Sequence, residues 1–291
     1  MHIEIDPGAG FCFGVEQVIR TAESHLRSGE KIYGLGEMVH NESEMERLHE
    51  LGLETITHSD LASLRPERVL IRAHGEPPST YELTEQLKIE VIDGTCPIVL
   101  TLQKRIREVY LSMNRENQQL VIFGKSDHPE TIGLVGQAEG HAVVISSVEE
   151  VGNINPAKEI ILFSQTTMDP DEFSEVEKKL KEQSNLPVGT GTFRSSCTIC
   201  GQMKKRKPGL AVFARQHDII LFVSGPNSSN GRMLSEYCRS VNPHTYWISG
   251  AGEINPAWFR GVSSAGISGA TSTSRQQLES VASRVKKLTS T

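Results

Sequence analysis

Short apolar runs alternate with longer amphipathic runs along the chain, and this alternation constrains the fold more than any other feature of the sequence. The short runs are rich in Val, Ile and Leu, as in "RVLIRA" (68–73), "QLVIFG" (119–124) and "IILFVSG" (219–225), and a stretch of helical length follows each of them. Apolar strands that are separated by helices are typical of parallel sheets with both faces covered. The sequence therefore predicts an α/β fold with mainly parallel sheets.

Cysteines mark three widely separated points at which a predicted strand gives way to a predicted helix. Cys12 follows "HIEIDPGAGF", Cys96 follows "IEVIDGT", and Cys197 and Cys200 lie in "SSCTICGQMKKR". Ligands of α/β units bind at the carboxyl ends of the strands, and helix N-termini favour thiolates. Three such units predict a pseudo-threefold arrangement in which the thiols converge. Cys238 falls within a predicted helix, and we interpret it as a packing residue.

Three converging thiolates suit a soft metal, either zinc or an iron–sulfur cluster. Zinc sites usually take pairs of ligands that are close in sequence, and this chain has one such pair, Cys197 and Cys200. The same pair is also the pattern of a redox dithiol. One cysteine from each of three units predicts a [4Fe–4S] cluster in which one iron has no protein ligand. An iron with an open coordination position is suited to a catalytic reaction.

Composition and charge exclude several classes of partner. No window approaches about 18 uninterrupted apolar residues, so we expect no membrane-spanning helix, and "MHIEIDPGAG" lacks the pattern of a secretory signal. Because the secretory pattern is missing, we expect a cytoplasmic protein whose thiols stay reduced. Five cysteines are an odd number, which also disfavours a disulfide framework. A net charge of −6 disfavours binding to nucleic acid or to a membrane surface. The negative net charge is still compatible with a local pocket that binds an anion.

Polar residues follow the predicted strands at several points. They lie in "VHNESEM" (His40), "AHGEPP" (His74), "HPETIG" (His128 and Glu130), "SQTT" (Thr166), "NSSN" (Ser228, Ser229 and Asn230) and "GATSTS" (Ser272). One such residue is usually a helix cap or a satisfied polar group, but so many beside the cysteines favour a binding site. Imidazoles, hydroxyls and helix N-termini bind diphosphates, and a carboxyl group beside a His supplies protons. The residues predict an iron–sulfur enzyme that acts on a phosphorylated small molecule by proton and electron transfer.

A series of motifs, in order, resembles the 4-hydroxy-3-methylbut-2-enyl diphosphate reductases, the LytB/IspH family. The motifs are "GFCFGV", "VHN", "AHG", "DGTCPIV", "HPETIGLVGQ", "SQTT", "TICGQMKKR", "NSSN" and "GATS". The resemblance implies three α/β units around a central [4Fe–4S] cluster, and we place these units at 1–96, 97–193 and 194–291. It also implies reductive dehydroxylation of an allylic diphosphate to isopentenyl and dimethylallyl diphosphate, the last step of the non-mevalonate isoprenoid pathway. Electrons would come from a ferredoxin or a flavodoxin.

The resemblance also implies a role for each matching residue. The cluster ligands would be Cys12, Cys96 and Cys200, since the family segment "TIC" ends at Cys200 and Arg206 lies six positions later. Glu130 would deliver the proton that releases the hydroxyl oxygen as water. Thr166 would position that hydroxyl and assist the proton relay, with His128 in the same catalytic set. The diphosphate would be held by His40, His74, His128, Ser228, Ser229, Asn230 and Ser272.

Three departures from the family pattern leave alternatives open. They are Phe13, Arg72 and the stretch that follows Cys200, and they predict a divergent member or a paralogue that acts on another allylic or anionic substrate. A non-enzymatic cluster-bearing redox sensor or electron carrier, with Cys197 as an additional ligand, is a second alternative. Glu130 beside His128 argues against it, because an electron carrier needs no proton donor there. A zinc protein or a C-x-x-C redox protein is a third.

Overall fold

Strands and helices alternate along the chain in the computed structural model, which describes residues 1–63, 67–183, 193–226 and 228–290. The strands are β1 (His2–Ile5), β2 (Ile32–Leu35), β3 (Glu54–Ile56), β4 (Arg68–Ile71), β5 (Glu90–Asp93), β6 (Gln118–Phe123), β7 (Val143–Ile145), β8 (Glu159–Ser164), β9 (Phe193–Ser195), β10 (Ile219–Val223), β11 (Thr245–Ile248) and β12 (Ser264–Gly269). The α-helices are α1 (Phe13–Arg27), α2 (Glu42–Glu50), α3 (Pro78–Gln86), α4 (Pro97–Ser112), α5 (Pro129–Gln137), α6 (Pro170–Gln183), α7 (Gly201–Arg215), α8 (Ser229–Val241) and α9 (Arg275–Thr289). Short 3₁₀ helices occupy His58–Ser63, Val148–Asn153, Ala251–Glu253 and Pro256–Phe259.

Within the described residues, the strands form three four-stranded sheets. One has the order β1-β12-β10-β11, with Leu221 opposite Ile267. Another has the order β7-β6-β8-β9, with Leu120 opposite Ile161. The third includes β4 and β5, which are paired in parallel. The predicted α/β fold with mainly parallel sheets is therefore confirmed.

Contacts within the chain define two compact units. The first unit consists of Met1–Thr55 and Lys205–Thr291, and the second unit consists of Ile56–Lys204. The first unit joins the two ends of the chain, because β1 pairs in parallel with β12. The division into units at 1–96, 97–193 and 194–291 stays a prediction.

Strand β10 shows why the apolar runs predict buried parallel sheets. Leu221 belongs to a core cluster with Val281 of α9, whereas Phe222 faces the opposite side and packs in a cluster with Leu234 of α8. A strand that is covered by helices on both faces has no polar side, so its sequence is continuously apolar. Cys238 is fully buried in the same cluster as Phe222, which is the packing role predicted for it.

The second unit repeats this plan around β6 and β8. Its core cluster includes Leu120 and Ile122 of β6, Ile106 of α4 and Leu134 of α5. The helices pack against the strands, and the loops that carry the polar motifs follow the carboxyl ends of the strands. No described helix has the length and apolar character that a bilayer span requires.

Candidate active site

The three predicted cluster ligands all lie at helix N-termini. Cys12 is the N-cap residue of α1, Cys96 is the N-cap residue of α4, and Cys200 directly precedes α7. The first N–H groups of a helix have no carbonyl partner within it and carry partial positive charge, which stabilises a thiolate. Each thiol is partly accessible, and no disulfide joins any cysteine within the described residues. Cys197 is exposed.

Glu130 is a buried carboxyl group in the second unit, and Thr166 holds both of its oxygens. The residue is 1% exposed. Oε1 accepts a hydrogen bond from the N–H of Thr166 at 2.6 Å, and Oε2 accepts one from the Thr166 hydroxyl at 2.8 Å. Burial raises the pKa of Glu130 to about 7, while the two hydrogen bonds from Thr166 act in the opposite direction. Near neutral pH this group can therefore both carry a proton and release it.

Thr166 also connects the acid to a cysteine. Its carbonyl oxygen accepts a hydrogen bond from the N–H of Cys200 at 2.8 Å. Thr166 follows β8, and the preceding segment is anchored because the N–H of Ser164 donates to the Thr198 hydroxyl at 2.9 Å. A single residue at the end of β8 thus fixes Glu130 through its side chain and N–H, and Cys200 through its carbonyl. The structure brings these three predicted site residues together.

Two histidines lie beside this group in the second unit. His128 is the N-cap of α5, and its Nδ1 accepts a hydrogen bond from the N–H of Glu130 at 3.2 Å. The neutral ring therefore carries its proton on Nε2, which is a donor. The ring of His74 meets that of His128 edge-on, with centroids 5.0 Å apart. The N–H of Cys96 donates to the carbonyl of Ala73 at 3.0 Å, which ties the second cysteine to the loop of His74.

Arg72 lies beside a carboxylate side chain of the same protein, that of Glu76. Its guanidinium lies 3.6 Å from Glu76, which is 2% exposed. The same carboxyl group lies 2.7 Å from Nε2 of His58 and accepts a hydrogen bond from the Thr80 hydroxyl at 3.2 Å. A buried carboxylate requires such partners because burial removes its hydration. This pairing gives the departure at Arg72 a structural explanation that needs no change of substrate.

The Arg72–Glu76 pair leads to a prediction about stability. Replacing Arg72 with Met leaves the buried carboxylate without its cationic neighbour, and we expect the free energy of unfolding to fall by about 3 kcal/mol. Unfolding in urea at neutral pH measures this loss. Arg68→Met is the matched control, because Arg68 pairs with Glu90 on the surface at 2.8 Å and such pairs contribute less than about 1 kcal/mol. Equal losses in the two variants would contradict the buried pair.

In the first unit, the loops after β10 and β12 place polar side chains together. The hydroxyl oxygens of Ser228 and Ser272 lie 3.2 Å apart, and the side-chain amide of Asn230 donates to the Thr271 hydroxyl at 2.7 Å. The carbonyl of Thr271 accepts a hydrogen bond from the N–H of Cys12 at 3.4 Å. Three of the predicted diphosphate ligands therefore share one hydrogen-bonded region with the first cysteine. The side chain of Ser229 lies outside the described part of the structure.

His40 belongs to the same unit and is linked to these loops by its neighbour. It borders a cavity of about 260 Å³ together with Gly225 and Pro226, which precede the "NSSN" segment. Asn41 caps α2 and donates from its side-chain amide to the carbonyl of Ser272 at 2.8 Å. Sequence reasoning did not single out Asn41, although its place after His40 and before a helix is an N-cap signal. Asn41 connects the His40 loop to the Ser272 loop.

A buried ion pair, also missed by sequence reasoning, supports the cysteine loop of the first unit. Arg206 donates to the carboxylate of Asp6 at 2.7 Å and to the hydroxyl of Ser268 at 2.7 Å, and both charged residues are buried. Asp6 directly follows β1 and begins the loop that leads to Cys12. The signal in the sequence was an acidic residue between a strand and a Gly-rich loop.

Comparisons with known proteins extend over nearly the whole chain. The model of the LytB protein family matches residues 3–286. The 4-hydroxy-3-methylbut-2-enyl diphosphate reductase of Bacteroides fragilis is 47% identical and 98% of each chain is covered. The reductase of the same name from Bacteroides thetaiotaomicron is 46% identical, with 99% of each chain covered.

Solved structures show the same extent of likeness. The structure of (E)-4-hydroxy-3-methyl-but-2-enyl diphosphate reductase, described as the terminal enzyme of the non-mevalonate pathway, has a TM-score of 0.74 at 32% identity. The match covers 99% of this chain and 100% of that one. The E-1-hydroxy-2-methyl-but-2-enyl-4-diphosphate reductase from Plasmodium falciparum shares the fold, with a TM-score of 0.83 at 22% identity and coverage of 98% and 88%. The likeness is therefore one of whole chains and not of single motifs.

Proposed function

The chain belongs to the LytB protein family, and from this membership we propose that it is an oxidoreductase that removes the allylic hydroxyl of 4-hydroxy-3-methylbut-2-enyl diphosphate. The products are isopentenyl and dimethylallyl diphosphate, and the reaction is the last step of the non-mevalonate isoprenoid pathway. The observation that carries this function is the buried acid Glu130, which Thr166 connects to Cys200. A reductive dehydroxylation requires a proton donor, and Thr166 links this one to a proposed cluster ligand.

The cysteines fit an iron–sulfur cofactor. We propose that Cys12, Cys96 and Cys200 hold a [4Fe–4S] cluster, because thiolates are the usual ligands of iron–sulfur clusters and all three lie at helix N-termini. When bound, such a cluster supplies electrons and an iron that has no protein ligand. Cys197 is not needed for this ligand set.

Glu130 is the proton donor in this proposal. Its raised pKa lets the carboxyl group hold a proton near neutral pH, and the leaving oxygen takes that proton to depart as water. Thr166 fixes the orientation of the carboxyl group with two hydrogen bonds and positions the substrate hydroxyl. His128 takes part through the ring proton on Nε2, because its Nδ1 is engaged by the N–H of Glu130.

We propose that polar residues of the loops bind the diphosphate. Ser228 and Ser272 place two hydroxyl groups 3.2 Å apart, so both can donate to one phosphoryl group. The remaining ligands of this proposed set are His40, His74, His128, Ser229 and Asn230. We also propose a ferredoxin or a flavodoxin as the electron donor. A cytoplasmic location would keep the cysteines reduced.

The raised pKa of Glu130 leads to a prediction about pH. Because the protonated form is the donor, we expect kcat to fall as the pH rises through about 7, by about tenfold per pH unit above that value. In Thr166→Val the hydroxyl that lowers the pKa is missing, so the midpoint should move to higher pH. A kcat profile between acidic and alkaline pH measures both. A midpoint that moves downward in Thr166→Val would contradict the assignment.

One anaerobic assay tests the proposed function. The cluster is reconstituted, and the oxidation of reduced methyl viologen is followed after addition of 4-hydroxy-3-methylbut-2-enyl diphosphate. We expect rapid substrate-dependent oxidation and both five-carbon diphosphates as products. A protein with an intact cluster that does not oxidise the dye would refute the function and direct attention to other allylic diphosphates.

A further inference from the structure

In the first unit, three side chains that could bind a metal ion lie near the amino ends of strands β1 and β10. His2 and Glu4 are on β1, and His217 comes two residues before β10. The carboxylate oxygen Oε2 of Glu4 lies 3.5 Å from Nε2 of His2 and 3.4 Å from Nε2 of His217. All three ligand atoms lie within 4.8 Å of one another. We propose that these residues bind a divalent transition-metal ion, with Zn²⁺ as the probe.

The fold brings these residues together through a glycine. His2 and Glu4 are two positions apart on a strand, so their side chains leave the same face. Gly266 of the middle strand β12 lies opposite Glu4 of β1 and opposite Ile220 of β10. A Cβ atom at position 266 would lie 2.9 Å from Nδ1 of His217. The missing side chain therefore leaves the space across which the His217 ring reaches Glu4.

The buried imidazole of His217 is oriented as a metal ligand would be. Its side chain is 1% exposed, and Nδ1 lies 3.0 Å from the carbonyl oxygen of Phe213. A carbonyl can only accept, so Nδ1 carries the proton and the lone pair of Nε2 in the neutral ring faces the Glu4 carboxylate. A lone pair facing a carboxylate is unfavourable unless a cation or a proton lies between them. Metal-binding histidines usually have this second hydrogen bond to a backbone carbonyl or a carboxylate.

The spacing and the chemistry of the three groups point to zinc or a similar ion. Zinc bonds to nitrogen and oxygen of about 2.0–2.2 Å place two tetrahedral ligand atoms about 3.3 Å apart, close to the separations measured from Glu4 to the two imidazoles. Two imidazoles with one carboxylate suit zinc, cobalt or nickel better than they suit calcium or magnesium, which prefer oxygen ligands alone. His2 and Glu4 are exposed, so the ion can enter from solvent and water can complete its coordination.

A metal at this position would join β1 to His217, which precedes β10. β1 is an edge strand of its sheet, and its carboxyl end leads through Asp6 to the loop of Cys12. An ion that binds only the folded chain stabilises it in proportion to the logarithm of its concentration over the dissociation constant. We therefore assign the ion a structural role, separate from the proposed reductase site.

Zinc titration of the cluster-loaded enzyme tests this assignment. Binding is followed under anaerobic conditions by competition with a zinc-chelating fluorophore, and the iron content is measured before and after. We expect one zinc ion per chain in the parent protein and at least a tenfold weaker affinity in His2→Gln and Glu4→Gln. Both side chains are exposed, so these variants should fold and keep their reductase rate.

The control is His244→Gln, which removes an exposed histidine elsewhere in the same unit. It should bind zinc like the parent. Added zinc should also raise the Tm of the parent and of His244→Gln but not that of His2→Gln. Equal zinc affinities in His2→Gln and the parent, or no zinc bound by the parent, would overturn the site and indicate that a proton alone bridges His217 and Glu4.

Discussion

We expect Glu130→Gln to lower turnover by about 10²–10⁴-fold and to retain the proposed iron–sulfur cluster, because a positioned general acid contributes an effect of that size. The amide has nearly the same shape as the carboxyl group, and its oxygen can still accept the N–H of Thr166, which lies 2.6 Å from Oε1 of Glu130. What the variant loses is the proton that the carboxyl group holds near neutral pH. The measurement is kcat with reduced methyl viologen, together with the iron and sulfide content of each preparation.

The matched control for this prediction is Glu108→Gln on the exposed face of α4. It makes the same chemical change at a position outside the proposed site and should leave kcat within about twofold of the parent, since surface substitutions rarely disturb a fold. Glu130→Gln should also lose the fall in rate above pH 7 that we expect for the parent. Turnover of Glu130→Gln at the rate of the parent would exclude Glu130 as the acid.

The contact between Glu130 and Thr166 shows which features of the proposed site can be predicted from the sequence and which cannot. The pattern of a His and a Glu after a strand predicts an acid and its neighbour, because both lie in one loop. The hydrogen bonds from Thr166 join the loop after β8 to the first turn of α5, 36 residues away. Which two strand ends meet depends on sheet order and register, and a single sequence does not specify them. The raised pKa follows from the burial that this packing produces, so it became visible only in the structure.

Arg72 and Asp6 show the same limit for charged residues. From the sequence, Arg72 next to His74 is equally compatible with an anionic ligand and with an internal ion pair, and only the structure shows Glu76 beside it. Asp6 pairs with Arg206, 200 residues away. The apolar runs, by contrast, predict β10 correctly. A strand that is buried on both faces has consecutive apolar residues, such as Leu221 and Phe222. Local patterns thus predict elements, whereas partners between elements require the fold.

The choice between Cys197 and Cys200 as the third ligand can be decided by two variants. Cys200 lies directly before α7, and its N–H is fixed by the carbonyl of Thr166 at 2.8 Å. Cys197 is exposed. A hydroxyl is a far poorer iron ligand than a thiolate, so we expect Cys200→Ser to lose at least nine-tenths of its bound iron and its visible absorption. Cys197→Ser should keep both.

Serine is close to cysteine in size, so neither variant should disturb the packing, and the far-ultraviolet circular dichroism of both should match the parent. Iron and sulfide analysis after anaerobic reconstitution then reports ligation alone. Loss of the cluster in Cys197→Ser with retention in Cys200→Ser would reverse the ligand assignment. Retention in both single variants with loss in the double variant would mean that either thiol of the C-x-x-C pair can serve, and Cys200 would no longer be the unique third ligand.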